Sequence, residues 1–262
     1  MTRALKICVA QPAGPPQDHG DALRMVAGFL EQSAGADLLA LPELALCGYG
    51  DAERIRRMAA AVDSAFLRDL GSLSKRNGTG LIAGLALREG ETLYNAAVAI
   101  GADGEISGIY RKVNLWGPYE NGLFTTGAPS PVIAWNGLNI GMLICHDLDF
   151  PATARDLVLR GADTLVVLSA TNHRYRIVAD AVAPARAYEN VSYVVYADAA
   201  GEDGSFTFLG HSRIIAPDGT VLARLDETRP AMARGELDAE EIAKCRSRHP
   251  YLENPVSRRA AR

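Results

Sequence analysis

The run Gly141-Met142-Leu143-Ile144-Cys145-His146-Asp147-Leu148-Asp149-Phe150-Pro151 holds a potential nucleophile in a setting that suits chemistry. Its first half is an apolar stretch after the turn pair Asn136-Gly137, which predicts a buried strand leaving a hairpin. Its second half turns polar at once. Pro151 then suits the first turn of a helix that runs on to Arg160 with Ala154, Leu157 and Val158 on one face. Cys145 therefore falls between strand and helix, where a thiol can project from a rigid edge into a cleft. Taken alone, a free cysteine is more often packed in a core, so any chemistry has to be argued from partners.

A thiol near its ordinary pKa of about 8.5 is only a few per cent ionised at neutral pH and needs a base. His146 is adjacent, but neighbours in an extended chain point to opposite faces, which places it poorly. Two other charged side chains stand at strand ends. Glu43 follows Leu38-Leu39-Ala40-Leu41 and Pro42, a continuous apolar run suited to a strand covered on both faces. Lys112 follows the strand expected from Ile106 to Tyr110. By itself Glu43 reads as a surface residue. With Cys145 and Lys112 it would complete a Cys-Glu-Lys site, with a carboxylate base and an ammonium donor for an oxyanion.

The elements that must position these groups alternate between strand-helix units and hairpins. Leu5 to Ala10 is a strand, Asp21 to Ala34 a helix, and Ser64 caps a helix that ends at Asn77-Gly78. Leu81 to Leu87 and Thr92 to Ile100 flank a hairpin turn. Trp116 to Pro131 reads as a long irregular loop. Asp163 to Ser169 is a strand, Tyr175 to Asn190 a helix, and Val191 to Ala197 a strand. Phe206 to Ile215, Val221 to Leu225 and Met232 to Leu237 read as a run of antiparallel strands, before a short helix from Asp238 to Arg246. No repeat or composition break divides residues 1–262, which are expected to form a single domain with a polar tail at about 247–262. Hairpins in both halves do not suit a doubly wound parallel sheet; two mixed sheets covered by helices use the elements better.

Composition narrows the function classes. A net charge of −4 leaves no basic footprint for nucleic acid. Cys8, Cys47, Cys145 and Cys245 form no CxxC pair and the five histidines are scattered, so the spacing supports no metal site. No apolar run is long enough for a bilayer or for a signal-peptide core. The expectation is a soluble, cytoplasmic protein with reduced thiols, no membrane association and no cofactor.

Leu41-Pro42-Glu43, Tyr110-Arg111-Lys112-Val113-Asn114-Leu115 and Cys145 to Pro151 resemble, in order and at suitable spacing, the three signature segments of the nitrilase superfamily, the thiol-dependent carbon–nitrogen hydrolases. Gly48-Tyr49, Tyr94-Asn95, Glu120 with Phe124 and Gly127, Arg186 to Asn190 and Gly210-His211-Ser212 extend the resemblance over most of the chain. The resemblance implies an α/β fold, a four-layer α-β-β-α sandwich of two mixed β-sheets flanked by helices, and a homodimer formed by packing helices. It assigns Cys145 as nucleophile, Glu43 as general base, and Lys112 with the His146 backbone N–H as oxyanion donors. Glu120 becomes the additional glutamate that holds the lysine and the substrate.

Within the superfamily the chain looks most similar to bacterial aliphatic amidases, including the 5-aminopentanamidase and R-stereoselective amidase kind. That implies cleavage of a small aliphatic primary amide to acid and ammonia, with a nitrilase or an N-carbamoyl amino acid amidohydrolase as alternatives. An acyltransferase or a non-catalytic binder of the same fold are rivals from other classes. Pocket walls are expected from Tyr49, Trp116, His146, Thr171, Asn172 and His173. Asp147, Asp149 and Glu189 could meet an amine-bearing substrate or serve as structural ion pairs. The chain departs from the family pattern at His146, where many members have tyrosine, at Ala152, which replaces a frequent glutamate, at Thr171, where an asparagine is expected although Asn172 follows, and at Asp198, which replaces another asparagine.

Overall fold

The computed structural model describes residues 4–12, 14–226 and 229–253; Pro255 and the rest of the expected tail beyond 253 lie outside the described residues. In chain order, β1 (Leu5–Gln11) leads to α1 (His19–Gln32), β2 (Leu38–Ala40), α2 (Ala52–Met58) and α3 (Ala65–Asn77). The hairpin β3 (Gly80–Glu89) and β4 (Thr92–Ile100) follows, then β5 (Ile106–Arg111) and the short α4 (Gly117–Asn121). The second half opens with β6 (Val132–Trp135) and β7 (Leu138–Ile144), then α5 (Pro151–Leu159), β8 (Thr164–Ser169), α6 (Ala183–Asn190) and β9 (Tyr193–Asp198). It closes with β10 (Ala200–Asp203), β11 (Phe206–Leu209), β12 (Arg213–Ile215), β13 (Val221–Arg224), β14 (Ala231–Leu237) and α7 (Ala239–Arg248).

Local chemistry sets the boundaries. Asp18, Ser64 and Asp238 accept backbone N–H groups at the starts of α1, α3 and α7. Gly78 ends α3 in the left-handed region, φ +62°. Asn136 and Gly137 both have positive φ, and β6 meets β7 across this two-residue turn with Trp135 opposite Leu138.

The strands form two six-stranded mixed sheets, in the orders β14-β1-β2-β3-β4-β5 and β13-β12-β9-β8-β7-β6, with β10 and β11 as a separate pair. In each, three central strands run parallel: β1, β2 and β3 in one, β7, β8 and β9 in the other. Parallel neighbours need crossovers, which the helices supply. Alternation along the strands then sorts the side chains into three apolar layers. Cys8 and Ala10 of β1 pack with Val26 and Leu30 of α1 and with Leu70 of α3. Ile7 and Val9, from the opposite face of β1, pack between the sheets with Met142, Ile144, Val166 and Val195. Leu143, Leu165, Val167 and Val194 face the second helix layer at Leu157, Ala183 and Ala187. Three apolar interfaces imply four layers, the α-β-β-α sandwich expected from the sequence. Each fully buried Leu, Ile or Val contributes about 1.5–3 kcal/mol, so both sheets are held chiefly by their two-sided burial.

The differences from expectation are local. α2 and α4 were not foreseen, and α4 interrupts the loop expected over 116–131. The helix expected over 175–190 widens into a π-helical turn at Val178–Val182 before α6. Pro184 explains the change, because it has no N–H to give the Asp180 carbonyl and its ring crowds that carbonyl. The strand expected over 206–215 is two strands, separated where Gly210 and His211 take φ +69° and +57°. β14 does not continue the run beside β13; it crosses to the first sheet and pairs with β1.

Candidate active site

Glu43, Lys112, Cys145 and Thr171 come together because each follows a strand that ends on the same side of the sandwich. Glu43 leaves β2, Cys145 leaves β7, and Ala170 and Thr171 leave β8. β5 is antiparallel to β4, and β4 to β3, so β5 runs in the direction of β3 and delivers Lys112 to that side too. The cleft outside the carboxyl ends of parallel strands is where open α/β sheets bind ligands.

Close backbone approach fixes the two charged segments. Gly84 of β3 lies against the 42–44 turn so tightly that a Cβ there would sit 2.4 Å from both Pro42 O and Leu44 N. Gly127 packs on Arg111, where a Cβ would meet the carbonyl oxygen at 2.2 Å, and donates to Lys112 O at 2.9 Å. α4 begins at Gly117, φ +59°, and turns Glu120 inward, where it is wholly buried.

Cys145 opens a tight 3-10 turn, Cys145–Asp149, with φ +45°. A non-glycine residue in that region costs on the order of 1 kcal/mol, and the turn is braced to hold it. Asp147, fully buried, accepts Ile144 N and Tyr110 Oη on Oδ2 at 2.9 and 2.8 Å, and both Asn114 N and Asn114 Nδ2 on Oδ1 at 2.9 Å. One carboxylate thus ties the cysteine turn of the second sheet to the chain beside Lys112 on the first. Burial, and then the Asp147 charge, push the Tyr110 phenol well above its usual range, keeping it a donor.

The charged core is a buried chain. Lys112 Nζ donates to Glu43 Oε1 at 2.6 Å and to Glu120 Oε1 at 2.8 Å, all three side chains being inaccessible to solvent. Glu43 Oε1 also accepts Asn95 Nδ2 at 2.7 Å, and Oε2 accepts Ala170 N at 2.9 Å. Glu120 also accepts Tyr49 Oη at 2.7 Å and Trp116 N at 2.9 Å. With two lone-pair directions per oxygen, Glu43 keeps one free on Oε2. Burial raises the Glu43 carboxyl above its ordinary range; Lys112 opposes this and Glu120 reinforces it. Burial alone would lower Lys112, but Glu43 and Glu120 hold its ammonium well above the usual value. The Cys145 thiol is pushed well up by burial and by Glu43, against the pull of Lys112, the Ser169 hydroxyl and Ala170 N–H. Such a thiol rests protonated beside a carboxylate with a free lone pair.

Above this core lies a cavity of about 210 Å³ lined by Tyr49, Trp116, Cys145, His146, Asp149, Ala170, Thr171, Asn172, Tyr175, Val178 and Phe206. Edge-to-face contacts between Trp116 and Tyr175 and between Tyr49 and Phe206 stiffen its walls. Of the wall residues expected from sequence, Tyr49, Trp116, His146, Thr171 and Asn172 line it. His173 does not: it is exposed, and its Nδ1 lies 3.3 Å from Thr207 O. Asp149 lines the cavity and pairs with His146 Nδ1 at 2.8 Å. Asp147 and Glu189 are structural, Glu189 pairing with Arg186 at 3.0 Å. Asn95, Ala170, Tyr175, Val178 and Phe206 were not foreseen. Of these only Asn95 carried a signal, standing in one of the family-like segments.

A buried glutamate–lysine–glutamate chain under a half-buried cysteine, on an α-β-β-α sandwich, defines a thiol-dependent hydrolase class. The carbon–nitrogen hydrolase family model matches residues 8–247, and the chain belongs to that family, enzymes that cleave carbon–nitrogen bonds other than peptide bonds. It is 33% identical over 255 residues to a Pseudomonas protegens protein called "Hydrolase in pqqF 5'region", covering 95% of this chain and 88% of that one. It is 31% identical to an (R)-stereoselective amidase from a Pseudomonas species, covering 95% and 91%. Among solved structures it matches an amidase of the nitrilase superfamily from Nesterenkonia AN1, with TM-score 0.82, 28% identity and 97% of each chain covered. In one structure of that amidase, the acetamide moiety of fluoroacetamide is covalently added at the active-site cysteine. Among the described residues, no helix is long and apolar enough to cross a membrane.

Proposed function

We propose that this enzyme is an amidase that hydrolyses primary amides of short aliphatic acids through a thioester on Cys145. The observation that carries the reading is the buried Glu43–Lys112–Glu120 chain beside Cys145 at the floor of a small cavity. A volume of about 210 Å³ is below the roughly 300–1,000 Å³ of pockets for drug-sized ligands and suits a short acyl chain.

As Cys145 Sγ attacks the amide carbon, its proton passes to the free lone pair of Glu43 Oε2. The carbonyl oxygen becomes an oxyanion facing the Lys112 ammonium and the backbone N–H of His146. Glu43 returns the proton to the leaving nitrogen, the C–N bond breaks, and ammonia departs. Water then loses a proton to Glu43, attacks the thioester carbon, and releases the acid as the proton returns to sulfur. Glu120 holds Lys112 in place and takes no proton. A protonated thiol paired with an ionised carboxylate is the resting state this route needs: burial keeps the proton on Cys145, and the Lys112 ammonium favours the ionised form of Glu43 against the burial that raises it. The family match over 8–247 supports reading 1–262 as one catalytic domain.

The same reading extends to assembly. Of the helix face Ile177, Ala181, Pro184 and Tyr188, Pro184 is half-buried and the other three are exposed, while Ala179, Ala183 and Ala187 bury against the sheet. That face therefore does not pack on its own sheet, and we assign it to a homodimer interface. The test of the activity is ammonia release from matched amides, nitriles and N-carbamoyl compounds, with mass spectrometry of enzyme quenched during turnover. Amides should be fastest and the acyl adduct should lie on the peptide containing Cys145. Faster nitriles would overturn the substrate class, and an adduct on Cys8, Cys47 or Cys245 would overturn the mechanism. Transfer of the acyl group to an added amine in preference to water would make it a transferase.

A further inference from the structure

The Gly48-Tyr49-Gly50 turn and the β10–β11 hairpin meet beside the charged core through a buried ion pair that the mechanism above does not use. Asp203, at the end of β10, pairs with Arg54 of α2, and both side chains are buried. The oxygen that meets Arg54, Asp203 Oδ2, also accepts the backbone N–H groups of Tyr49 and Gly50 at 2.8 and 2.9 Å. Arg54 Nε donates to Cys47 O at 2.7 Å, so the pair grips the chain on both sides of Tyr49. The turn is shaped for this contact. A Cβ on Gly48 would lie 2.7 Å from Asp203 Oδ2, and one on Gly50 would lie 2.0 Å from Asp203 O. A side chain at either place would push the hairpin away.

Tyr49 is the residue held. Its N–H goes to Asp203, its carbonyl accepts Tyr119 Oη at 2.7 Å, and its ring lies edge-on to Phe206 and Phe208 of β11. Its hydroxyl donates to Glu120 Oε1 at 2.7 Å, the same oxygen that accepts Lys112 Nζ at 2.8 Å. A carboxylate oxygen offers two lone-pair directions. Tyr49 fills one and leaves Lys112 the other, from which the ammonium also reaches Glu43 at 2.6 Å. Burial and the Glu120 charge push the Tyr49 phenol well above its usual range, so it stays a donor. A chain of contacts thus runs from Asp203, in the second half of the sequence, to the ammonium of Lys112 in the first.

We propose that Asp203, braced by Arg54, is a positioning residue for catalysis: it fixes Tyr49 so that the Tyr49 hydroxyl confines Lys112 to the lone pair of Glu120 from which the ammonium faces Glu43. This rests on Lys112 being the oxyanion donor. It gives the β10–β11 hairpin, which pairs with neither six-stranded sheet, a part in the reaction.

The test is a double-mutant cycle read as kcat and KM for a primary amide. Tyr49→Phe removes the hydroxyl and keeps the ring on the cavity wall. It should lower kcat about tenfold and hold KM within about twofold of wild type, as expected when a hydrogen bond to a charged group is lost away from the substrate. Asp203→Ala should lower kcat by a similar factor. The two effects should not multiply: the double variant should keep kcat within about threefold of Tyr49→Phe, because Asp203 acts through a hydroxyl already gone. Asp203→Asn leaves Arg54 without its buried counter-charge and should lower Tm. Its amide oxygen still accepts the Tyr49 and Gly50 N–H groups, so kcat should stay within about threefold of wild type. Wild-type kcat in Tyr49→Phe, a double variant down by the product of the single effects, or kcat falling with Tm in Asp203→Asn would each overturn the assignment. Tyr49→Phe and Asp203→Asn keep the packing and decide the matter even where Asp203→Ala does not fold. The rate of Cys145 alkylation by iodoacetamide reads the same cycle without turnover, since the Lys112 charge favours the thiolate. It should slow in Tyr49→Phe and no further in the double variant. A wrong substrate class would show as absent ammonia release from wild type with the alkylation cycle intact.

Discussion

Lys112→Met tests the charged core most severely, because it keeps the length of the side chain and removes only the ammonium. Lys112 Nζ bridges Glu43 and Glu120 at 2.6 and 2.8 Å with no solvent contact. Without it, two buried carboxylates face each other with only neutral donors. Removing one partner of a buried pair costs about 3–5 kcal/mol, which in a protein of this size lowers Tm by roughly 10 °C. Catalysis loses an oxyanion donor worth about 3 kcal/mol, or on the order of a hundredfold. It loses more because Glu43, freed of its cation, takes up a proton and ceases to be a base at neutral pH. The expected drop in kcat/KM is at least roughly a thousandfold. The pH dependence gives a second readout. Unpaired buried carboxylates have folded pKa values above their unfolded ones, so their penalty is full at high pH and relieved as pH falls. The gap in Tm between wild type and Lys112→Met should therefore narrow on acidification. Ammonia release and thermal denaturation between about pH 5 and 9 measure both. A loss of kcat/KM under tenfold, or a Tm gap that widens in acid, would refute the reasoning.

Glu43→Gln should lower kcat/KM at least about a hundredfold. In wild type the acid limb of kcat/KM should lie above the ordinary glutamate pKa of about 4.3, since burial raises Glu43 and protonation removes the base; an acid limb at or below that value in a pH-rate profile would count against it. Gly84→Ala would place a Cβ 2.4 Å from the backbone at Pro42 and Leu44, forcing the Glu43 turn to move. It should cost about 1–3 kcal/mol in denaturant unfolding and more than roughly tenfold in kcat/KM, whereas unchanged kinetics would show the turn has slack. Light scattering at micromolar concentration should give a dimer mass, reduced to a monomer by Ile177→Lys or Tyr188→Lys; a monomeric wild type would remove the interface.

Much of the fold was legible because its signals are local. Asn136-Gly137, Ser64, Gly78 and the alternating strands act within a few residues of themselves, and each appears where the sequence places it. The breaks were less legible because their causes lie elsewhere. Gly210 and His211 divide a single apolar run into β11 and β12 because the chain must cross from the small β10–β11 pair into the second sheet. Pro184 is compatible with a helix start on its own. Only with helical residues already behind it does its missing N–H force the wide turn at Val178–Val182.

The site divides the same way. Cys145 could be placed from its neighbours alone, because strand, polar turn and Pro151 are contiguous. Glu43 could not: the lysine that makes its burial tolerable is 69 residues away, and its hydrogen-bonded Ala170 N–H is 127 away. A rule drawn from average burial puts such a glutamate on the surface, and only the joint appearance of Lys112 and Cys145 at other strand ends reverses that. Asp147 shows the converse error. Beside a nucleophile it invites a catalytic or substrate-binding role, yet its four hydrogen bonds all go to the chain that shapes the turn. Proximity in sequence marks where chemistry is built, while the role of each acid depends on which donors the tertiary fold brings to it. Glu43 keeps a lone pair free because three donors meet it; Asp147 receives four and has none to spare.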